Sequence, residues 1–321
     1  MTLPGARDYH IEQRGSDAGS AIGIIAVIVG AAFASSVPIF DPGKSPVGFM
    51  GLMVGAAFLV IFPLYSMIMT RRKWQERQLS FARVVASLGA SATAIAKPDA
   101  KESAISLKML PEDEFHFERA VRTPAWTYYD FVYDLYAHTK YGRQKVGAGY
   151  YAVMSILLPR ELPNILFDAA AARHRQFRWL IDSSQQLSFE GDFDKHFTAY
   201  APDGYHVDTL SFITPEVMEV MVQYAQYDME IAGDRLYLYD ALEYPETQIP
   251  AMAAAGEAIT KKLLNNILTY RDERLDGMTN RQSIAVAGQT LNRSLAPYLI
   301  AAAIVIVSAI IFVIIAIVSP E

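Results

Sequence analysis

The sequence predicts an α+β domain attached to three transmembrane helices, arranged as an N-terminal helical hairpin and a single C-terminal helix. Three segments, 18–40, 45–70 and 294–320, contain no Asp, Glu, Lys or Arg. The rest of the chain has the charge density of an ordinary soluble domain, although hydrophobic residues make up 52% of the whole. In that part, strand-like and helix-like segments lack the regular alternation of an α/β sheet, which favours an α+β fold.

Each charge-free segment is long enough to cross a lipid bilayer. About 20 apolar residues span roughly 30 Å of hydrocarbon, and 21–39, 47–69 and 295–318 reach that length. A turn rich in Pro and Gly at 41–46 separates the first two segments. We therefore divide the chain into a cytoplasmic N-terminal tail (1–18), a transmembrane hairpin (19–70), a juxtamembrane helix and linker (71–99), a cytoplasmic α+β domain (100–275), a juxtamembrane connector (276–293), and a transmembrane helix with a short external tail (294–321).

Basic residues flank the predicted spans on the side of the domain. Arg71, Arg72 and Lys73 directly follow the second span, and Arg293 precedes the third. Because Lys and Arg accumulate on the cytoplasmic side, the domain and the N-terminus are predicted inside and the C-terminus outside. Trp74 stands beside the three cations, and an amphipathic ring suits the headgroup layer. These five residues are the predicted membrane-interface residues of a multi-pass protein of the cell membrane.

One alternative concerns the first apolar segment, which could be a cleaved signal peptide. Residues 32–34 resemble a signal-peptidase site that follows an apolar core. The preceding tail, however, has more acidic than basic side chains, whereas a signal peptide requires positive charge there. Under either interpretation the domain is predicted to stay in the cytoplasm.

Composition excludes several classes of function. The chain has no cysteine, which excludes a Cys nucleophile, thiolate zinc sites and disulfides. The net charge of −6 argues against a dedicated nucleic-acid-binding protein, which normally has a basic face. No cofactor motif is present, because Gly147-x-Gly149 lacks the third glycine of a dinucleotide loop and no phosphate-binding Walker loop occurs.

The first half of the domain combines a helix with aromatic strands. Apolar residues at helical spacing predict that the second span continues as a helix over 71–90. Aromatic and β-branched residues predict strands at 126–136 and 145–158, the second ending at Pro159, and a short strand at 164–167. Residues 169–181 are predicted to form either a helix or a long connection. Residues 193–199, in which apolar and polar residues alternate, are predicted to form a half-buried strand.

The second half of the domain has clearer local signals. Residues 210–213 read as a strand, followed by a helix with Thr214 as N-cap and Pro215 in its first turn. Gly233-Asp234 predicts a two-residue hairpin turn. A long helix is predicted over 250–274, with an apolar seam of coiled-coil spacing that packs within the chain or on a second copy. The seam consists of Met252, Gly256, Ile259, Leu263, Ile267 and Tyr270.

Four motifs of packing and turn residues lie between about residues 128 and 239. They are Gly149-Tyr150-Tyr151, Phe193-x-x-x-Phe197-x-x-Tyr200, Leu210-x-Phe212-Ile213-Thr214-Pro215-x-Val217-Met218 and Ile231-x-Gly233-Asp234-Arg235-Leu236-Tyr237. In these motifs the chain resembles the bacterial domain-of-unknown-function 3137 family of membrane proteins. The resemblance implies a cytoplasmic-membrane protein with a membrane hairpin before the domain, and it assigns no catalytic residue.

One cluster of ionisable residues is a candidate metal site. If each stretch is a strand, Asp192, Asp194 and His196 share one face, and so do His206 and Asp208. Imidazole and carboxylate groups together can bind a divalent metal or act as general acid and base. The alternative is a solvated strand face, because metal ligands usually come from several elements of a fold.

The sequence therefore favours a membrane-anchored cytoplasmic binding or scaffold protein without catalytic activity. Its expected partners are the lipid bilayer and another protein, which could be a second copy of the chain. A membrane-tethered enzyme using the Asp/His cluster is the alternative. A subunit of an oligomeric transporter or channel is disfavoured, since the predicted spans contain no charged residue.

Overall fold

The computed structural model describes residues 46–88, 93–95, 98, 115–139, 142–172, 177–241, 246–275 and 283–294, together with 303, 306–308 and 311. The chain divides into two compact units, Met1–Ser80 and Phe81–Glu321. The predicted first span, 21–39, lies outside the described residues, as do most of the third span and of the linker before the domain.

The described part of the first unit is helical. Helix α1 (Pro46–Ser87) is 42 residues long and contains Pro63, and its residues from Phe81 onward belong to the second unit. The hydroxyl of Ser66 donates to the Pro63 carbonyl oxygen (2.8 Å), and the hydroxyl of Thr70 donates to the Ser66 carbonyl oxygen (2.8 Å). The helix predicted to continue from the second apolar segment over 71–90 is thus confirmed as far as Ser87. Within the described residues, the helices do not combine enough length with enough hydropathy to meet the requirement for crossing a bilayer.

The second unit is a mixed α+β domain built on an antiparallel sheet of seven strands. The strands are β1 (Thr93–Ile95), β2 (Phe115–Arg122), β3 (Trp126–Thr139), β4 (Gly142–Ala169), β5 (Gln186–Leu187), β6 (Phe197–Tyr200) and β7 (Asp228–Asp240). Their order is β1-β2-β3-β4-β6-β5, and β7 pairs with β4 as well. Strand β4 is therefore the centre of the sheet. It pairs with β3 from Gly142 to Ile156, with β7 from Ala152 to Phe167, and with β6 from Leu166 to Ala169.

Six helices have bounds within the described part of the chain, and the described residues 303, 306–308 and 311 are helical as well. Besides α1 they are α2 (Phe177–Leu180), α3 (Phe193–His196), α4 (His206–Phe212), α5 (Pro215–Gln223) and α6 (Ile249–Ile267). Short 3₁₀ turns lie at Ser183–Gln185, Glu246–Gln248, Glu273–Leu275 and Val286–Gly288.

The sheet has a hydrophobic core on each face. One core contains Met154 and Ile156 of β4 and the buried side of α6, and Val84 and Val85 of α1 pack against it. The other core is aromatic and includes Tyr129, Phe131, Tyr133, Tyr151, Phe177, Tyr237 and Tyr239. Leu291 joins this second core from the C-terminal segment. Because residues alternate between the two faces of a strand, β3 and β7 are buried on both sides.

Two strand boundaries differ from the sequence prediction. The strand predicted to end at Pro159 continues through that residue as β4, and 164–167 is part of it rather than a separate strand. The register with β7 shifts between Leu157 and Leu162 and again before Ile165. Proline lacks an N–H, and a bulged register is where a strand tolerates that loss. The strand predicted over 126–136 is confirmed by β3.

One strand and one turn prediction between 192 and 240 were wrong, and a second strand prediction was right only in part. The strand predicted over 193–199 is a helical turn over 193–196, but 197–199 belong to strand β6 as predicted. Residues 210–213 lie mainly in helix α4. Gly233-Asp234 makes no hairpin, because β7 runs through it and pairs with β4 on both sides of it. Gly233 has a φ of +58°, which glycine adopts without strain, so the strand bends there instead of reversing.

The start of helix α5 and the apolar seam of helix α6 were predicted correctly, whereas the C-terminal end of α6 was not. Thr214 precedes α5 in an extended conformation with Pro215 in the first turn, as expected, although its side chain makes no capping hydrogen bond. Helix α6 ends at Ile267 rather than near residue 274. Its seam residues Met252, Ile259 and Leu263 are buried in the sheet core, so the seam packs within the chain.

Candidate functional site

A shallow groove lies between helix α6 and the turn that joins β2 to β3. Its volume is about 350 Å³. It is lined by Pro124, Ala125, Ile156, Leu157, Glu257, Thr260, Lys261 and Leu264. Leu157 is 50% exposed, whereas its neighbours Ile156 and Leu158 are buried. We call this feature the α6 groove.

A glycine sets how closely α6 approaches the sheet at the groove. A Cβ atom built on Gly256 would lie 1.9 Å from Ile156 Cδ1 and 3.3 Å from Leu238 Cδ1. Real Cβ atoms do not approach that closely, so the helix backbone reaches this position only because residue 256 has no side chain. The next turn of the helix carries Glu257, Thr260 and Lys261 to the edge of the groove.

The opposite wall of the groove is a hydrogen-bonded turn. The Thr123 N–H donates to the Trp126 carbonyl oxygen (2.8 Å), and the Trp126 N–H donates to the Thr123 hydroxyl (3.1 Å). The Leu157 N–H donates to the Ala125 carbonyl oxygen (3.4 Å). These bonds hold Pro124 and Ala125 in place, so the wall is preformed.

The groove combines an apolar floor with opposite charges on one rim. Glu257 and Lys261 are exposed, and within the described residues neither makes an ion pair. The Thr260 hydroxyl oxygen is buried and has no hydrogen-bond partner in that same part of the chain. This arrangement suits a ligand with an apolar surface flanked by charges of both signs.

A buried ionic cluster lies on the same face of the sheet. Arg119 Nε is 2.5 Å from Asp130 Oδ2, and its Nη1 is 3.5 Å from Glu246 Oε1. The Tyr128 hydroxyl donates to Asp130 Oδ1 (2.5 Å), and the Arg119 guanidinium lies over the Phe81 ring. Burial and the nearby Asp130 charge raise the pKa of Tyr128 well above its usual value. The cluster links the end of α1, two strands and the 3₁₀ turn that precedes α6.

A second buried carboxylate lies on the aromatic face. Glu230 accepts hydrogen bonds from the Tyr239 hydroxyl and from Asn164 Nδ2, the latter at 3.0 Å. Burial and the Glu230 charge raise the pKa of Tyr239 well above its usual value. Since Glu230 is fully buried, these bonds offset the cost of removing its carboxylate from water.

A third cluster, centred on Asp272, follows helix α6. Asp272 Oδ2 accepts from the Tyr205 hydroxyl (2.7 Å) and the Ala285 N–H (2.9 Å), and Oδ1 accepts from the Arg274 N–H and Nη1 (both 3.1 Å). Arg274 also stacks on the Tyr205 ring at 3.9 Å and pairs with Asp208 at 3.0 Å. The cluster thereby joins α4 and the C-terminal segment to the chain that follows α6.

Of the residues predicted to bind metal, Asp192, Asp194 and Asp208 make other contacts, whereas His206 Nε2 is buried without a hydrogen-bond partner in the described part of the chain. Asp192 pairs with Lys195 at 2.6 Å, and this hydrogen bond lowers the pKa of Asp192. Asp194 accepts from the Phe189 N–H (3.0 Å) and from the Ser188 hydroxyl.

The two remaining predicted ligands, His206 and Asp208, lie on helix α4, and Asp208 pairs with Arg274. His196 ends helix α3. In the part of the chain that the structure describes, no three His, Asp or Glu side chains are grouped as metal ligands would be. The expected strand faces that would have aligned these residues are helical turns instead.

The predicted membrane-interface residues lie in two segments. Arg71, Arg72 and Lys73 are exposed on α1, and the side chain of Trp74 lies outside the described part of the chain. Arg293 is exposed and forms an isolated β-bridge with Ile181.

No family model, curated protein or solved structure matches this chain.

Sequence reasoning missed both the α6 groove and the Asp272 cluster. Glycine at position 256 of an otherwise apolar helix seam was a usable signal for close helix-to-sheet packing. The Asp272 cluster had no such local signal, because Tyr205 and Asp272 are 67 positions apart.

Proposed function

We propose that this chain is a membrane-anchored binding or scaffold protein without catalytic activity, and that its α+β domain binds a protein partner through the α6 groove. The α6 groove is the observation that supports binding. It leaves Leu157 half-exposed between the buried Ile156 and Leu158, and it places beside Leu157 the charges of Glu257 and Lys261, which form no ion pair with the described residues. Apolar centres rimmed by charge are typical of protein interfaces.

The three ionic clusters support a structural rather than a chemical role for the buried carboxylates. Asp130 is bonded to Arg119, Glu230 to Tyr239, and Asp272 to Tyr205. Each carboxylate therefore already has donors within the fold.

The anchoring part of the proposal rests on the charge-free segments of the sequence. Three transmembrane helices would place the chain in a bacterial cell membrane, with the N-terminus and the domain inside and the C-terminus outside. Arg71, Arg72, Lys73, Trp74 and Arg293 would then lie at the lipid headgroups. The resemblance to the domain-of-unknown-function 3137 family, which stays a prediction, agrees with this location.

Reporter fusions test the anchoring and its orientation. A reporter inserted after Asp99 of the full chain is expected to behave as cytoplasmic, and one fused after Glu321 as external. Both fusions are expected to stay with the membrane fraction after an alkaline wash. A chain released by that wash, or the reverse pair of reporter locations, would refute the proposal.

A further inference from the structure

Helix α6 has an outward face that is complementary to itself. Pro250, Ala254, Glu257, Lys261, Leu264 and Leu268 recur at intervals of three or four residues. Residues so spaced share one side of a helix. Pro250, Ala254, Glu257, Lys261 and Leu268 are exposed on this side, whereas Leu264 is half-buried at its edge, where it also packs against the sheet core. Leu268 at its end is 51% exposed, and the helix is about 28 Å long for its 19 residues.

We infer that the occupant of the α6 groove is a second copy of this chain, packed with its α6 antiparallel to the first. The twofold axis would cross the outward face at the level of residue 259, midway between Glu257 and Lys261. The inference names the partner in the function proposed above and therefore rests on that proposal. When the direction of the helix is reversed, each residue of the outward face lies opposite another residue of the same face, as a twofold interface requires.

Reversal about Ile259 brings opposite charges together. Glu257 of one copy then faces Lys261 of the second copy, and the symmetry repeats the pair in the other direction. Both side chains are exposed and form no ion pair within the described part of the chain, so each copy would supply the ion-pair partners of the other. A parallel arrangement would instead place like charges opposite each other, which disfavours it.

The same reversal matches large side chains with small ones. Leu264 of one copy faces Ala254 of the second, and Leu268 faces Pro250. Alanine leaves room for a leucine, as interdigitating helices require. The half-exposed Leu157 lies in the groove beside this contact and adds apolar surface.

Membrane anchoring would make a contact of this size sufficient for two copies to associate. A single helix pair buries less surface than most stable interfaces between free proteins. Two chains held in one membrane meet at a much higher effective concentration, and a modest contact then suffices.

Cysteine pairs test the predicted register, because the natural chain has no cysteine to interfere. Two full-length copies of different tag and size, one carrying Glu257→Cys and the other Lys261→Cys, are produced together and oxidised in native membranes. We expect the mixed disulfide to form faster than either self-pair, since residues 257 and 261 face each other across the axis. Glu257→Cys paired with Val286→Cys is the control, as Val286 is 81% exposed but lies outside α6.

Charge reversal tests the same contact without a covalent bond. Glu257→Lys and Lys261→Glu are each expected to abolish most co-purification of two differently tagged full-length copies from mild detergent. The double variant Glu257→Lys with Lys261→Glu restores the opposite pairs and is expected to co-purify as the natural chain does. Lys262→Glu makes the same change in charge one position away, off the outward face, and is expected to have no effect.

Three results would overturn the inference. The first is a mixed cysteine pair that crosslinks no faster than the self-pairs or the Val286→Cys control. The second is a double charge variant that fails to co-purify although membrane insertion is normal. The third is a crosslinked product that contains another protein in place of the second copy. Loss of anchoring would be seen separately in the reporter fusions, so the two failures are distinguishable.

Discussion

At the scale of single residues, Asp272 joins parts of the chain that are far apart in the sequence. It accepts hydrogen bonds from Tyr205 in front of α4 and from the backbone of Ala285 in the C-terminal segment. Gly288, in the same segment, packs so closely on the Tyr205 ring that a Cβ atom would lie 2.5 Å from it. Together with backbone hydrogen bonds from the Asp182 N–H to the Asn292 carbonyl oxygen (3.0 Å) and from the Ser294 N–H to the Leu180 carbonyl oxygen (2.8 Å), these contacts attach the C-terminal segment to the domain.

These contacts make the stability of the domain depend on pH in a definite direction. Burial alone would raise the pKa of Asp272, but hydrogen bonds from Ala285, Tyr205 and Arg274 outweigh it and hold the pKa below its usual range. A lowered folded-state pKa means that the unfolded chain binds the proton first as pH falls. The stabilisation is therefore complete above the ordinary Asp pKa of about 4 and is lost as pH falls below it.

We predict that Asp272→Asn destabilises the chain by about 2 kcal/mol at pH 7, since bonds to a carboxylate are weakened. The difference between variant and natural chain should shrink as pH falls below about 4, where the natural carboxyl group also becomes neutral. Denaturant unfolding over a pH series measures this. The exposed Asp203→Asn variant is the control and should differ little from the natural chain at any pH. A difference that stays constant down to pH 3 would contradict the argument.

At the scale of elements, the contact of α6 with β4 depends on the absence of one side chain. Gly256 lies directly over Ile156, and the two elements contact each other along the buried seam. Glycine inside a helix costs about 1 kcal/mol relative to alanine. Its presence here is explained by packing, because any larger residue would push the helix away from the sheet.

We predict that Gly256→Ala destabilises the domain by about 1–2 kcal/mol, because overpacking costs more than the gain in helix propensity. Ile156→Val removes Cδ1, the atom 1.9 Å from the added Cβ. The double variant should therefore be more stable than the sum of the single changes predicts, and a double-mutant cycle of unfolding free energies measures this coupling. Additive effects, or a Gly256→Ala variant more stable than the natural chain, would refute close packing as the reason.

The prediction of the elements themselves was limited by tertiary contacts. Alternating polar and apolar residues at 193–199 and the short apolar run at 210–213 indicated strands, but the backbone bonds are helical over 193–196 and over most of 210–213. In α4 the Thr209 N–H donates to the Tyr205 carbonyl oxygen (2.9 Å), and Tyr205, Thr209 and Phe212 are buried together. A run of four apolar residues fits either structure, so its neighbours in space decide between them.

At the scale of the whole molecule, the distribution of charge is the basis for the proposed orientation. Arg71, Arg72 and Lys73 directly follow the second apolar segment. Basic residues within about 15–20 positions of a span determine its orientation, whereas more distant ones have little effect.

We predict that replacing Arg71, Arg72 and Lys73 together with Ser reduces the fraction of chains whose C-terminal reporter is external. Replacing Lys195, Lys262 and Arg271 with Ser removes the same charge far from the predicted spans and should leave orientation unchanged. Protease accessibility of the reporter in intact and permeabilised cells measures both. Equal effects of the two triple variants would show that position relative to the spans does not matter.

The sequence by itself determined the features that depend on neighbours along the chain. The helix that follows the second apolar segment, strand β3 and the start of α5 at Thr214-Pro215 all carry local signals, and the structure has them. The mixed α+β class also followed from the order of these signals.

Only the tertiary structure decided the features that depend on contacts across the chain. The continuity of β7 through Gly233 comes from pairing with β4, and the Asp272 cluster and the α6 groove come from segments that meet only when folded. The physical reason is the range of the forces involved. Propensity, capping and periodicity act over a few residues, whereas pairing, burial and ion pairing act between whichever residues the fold places together.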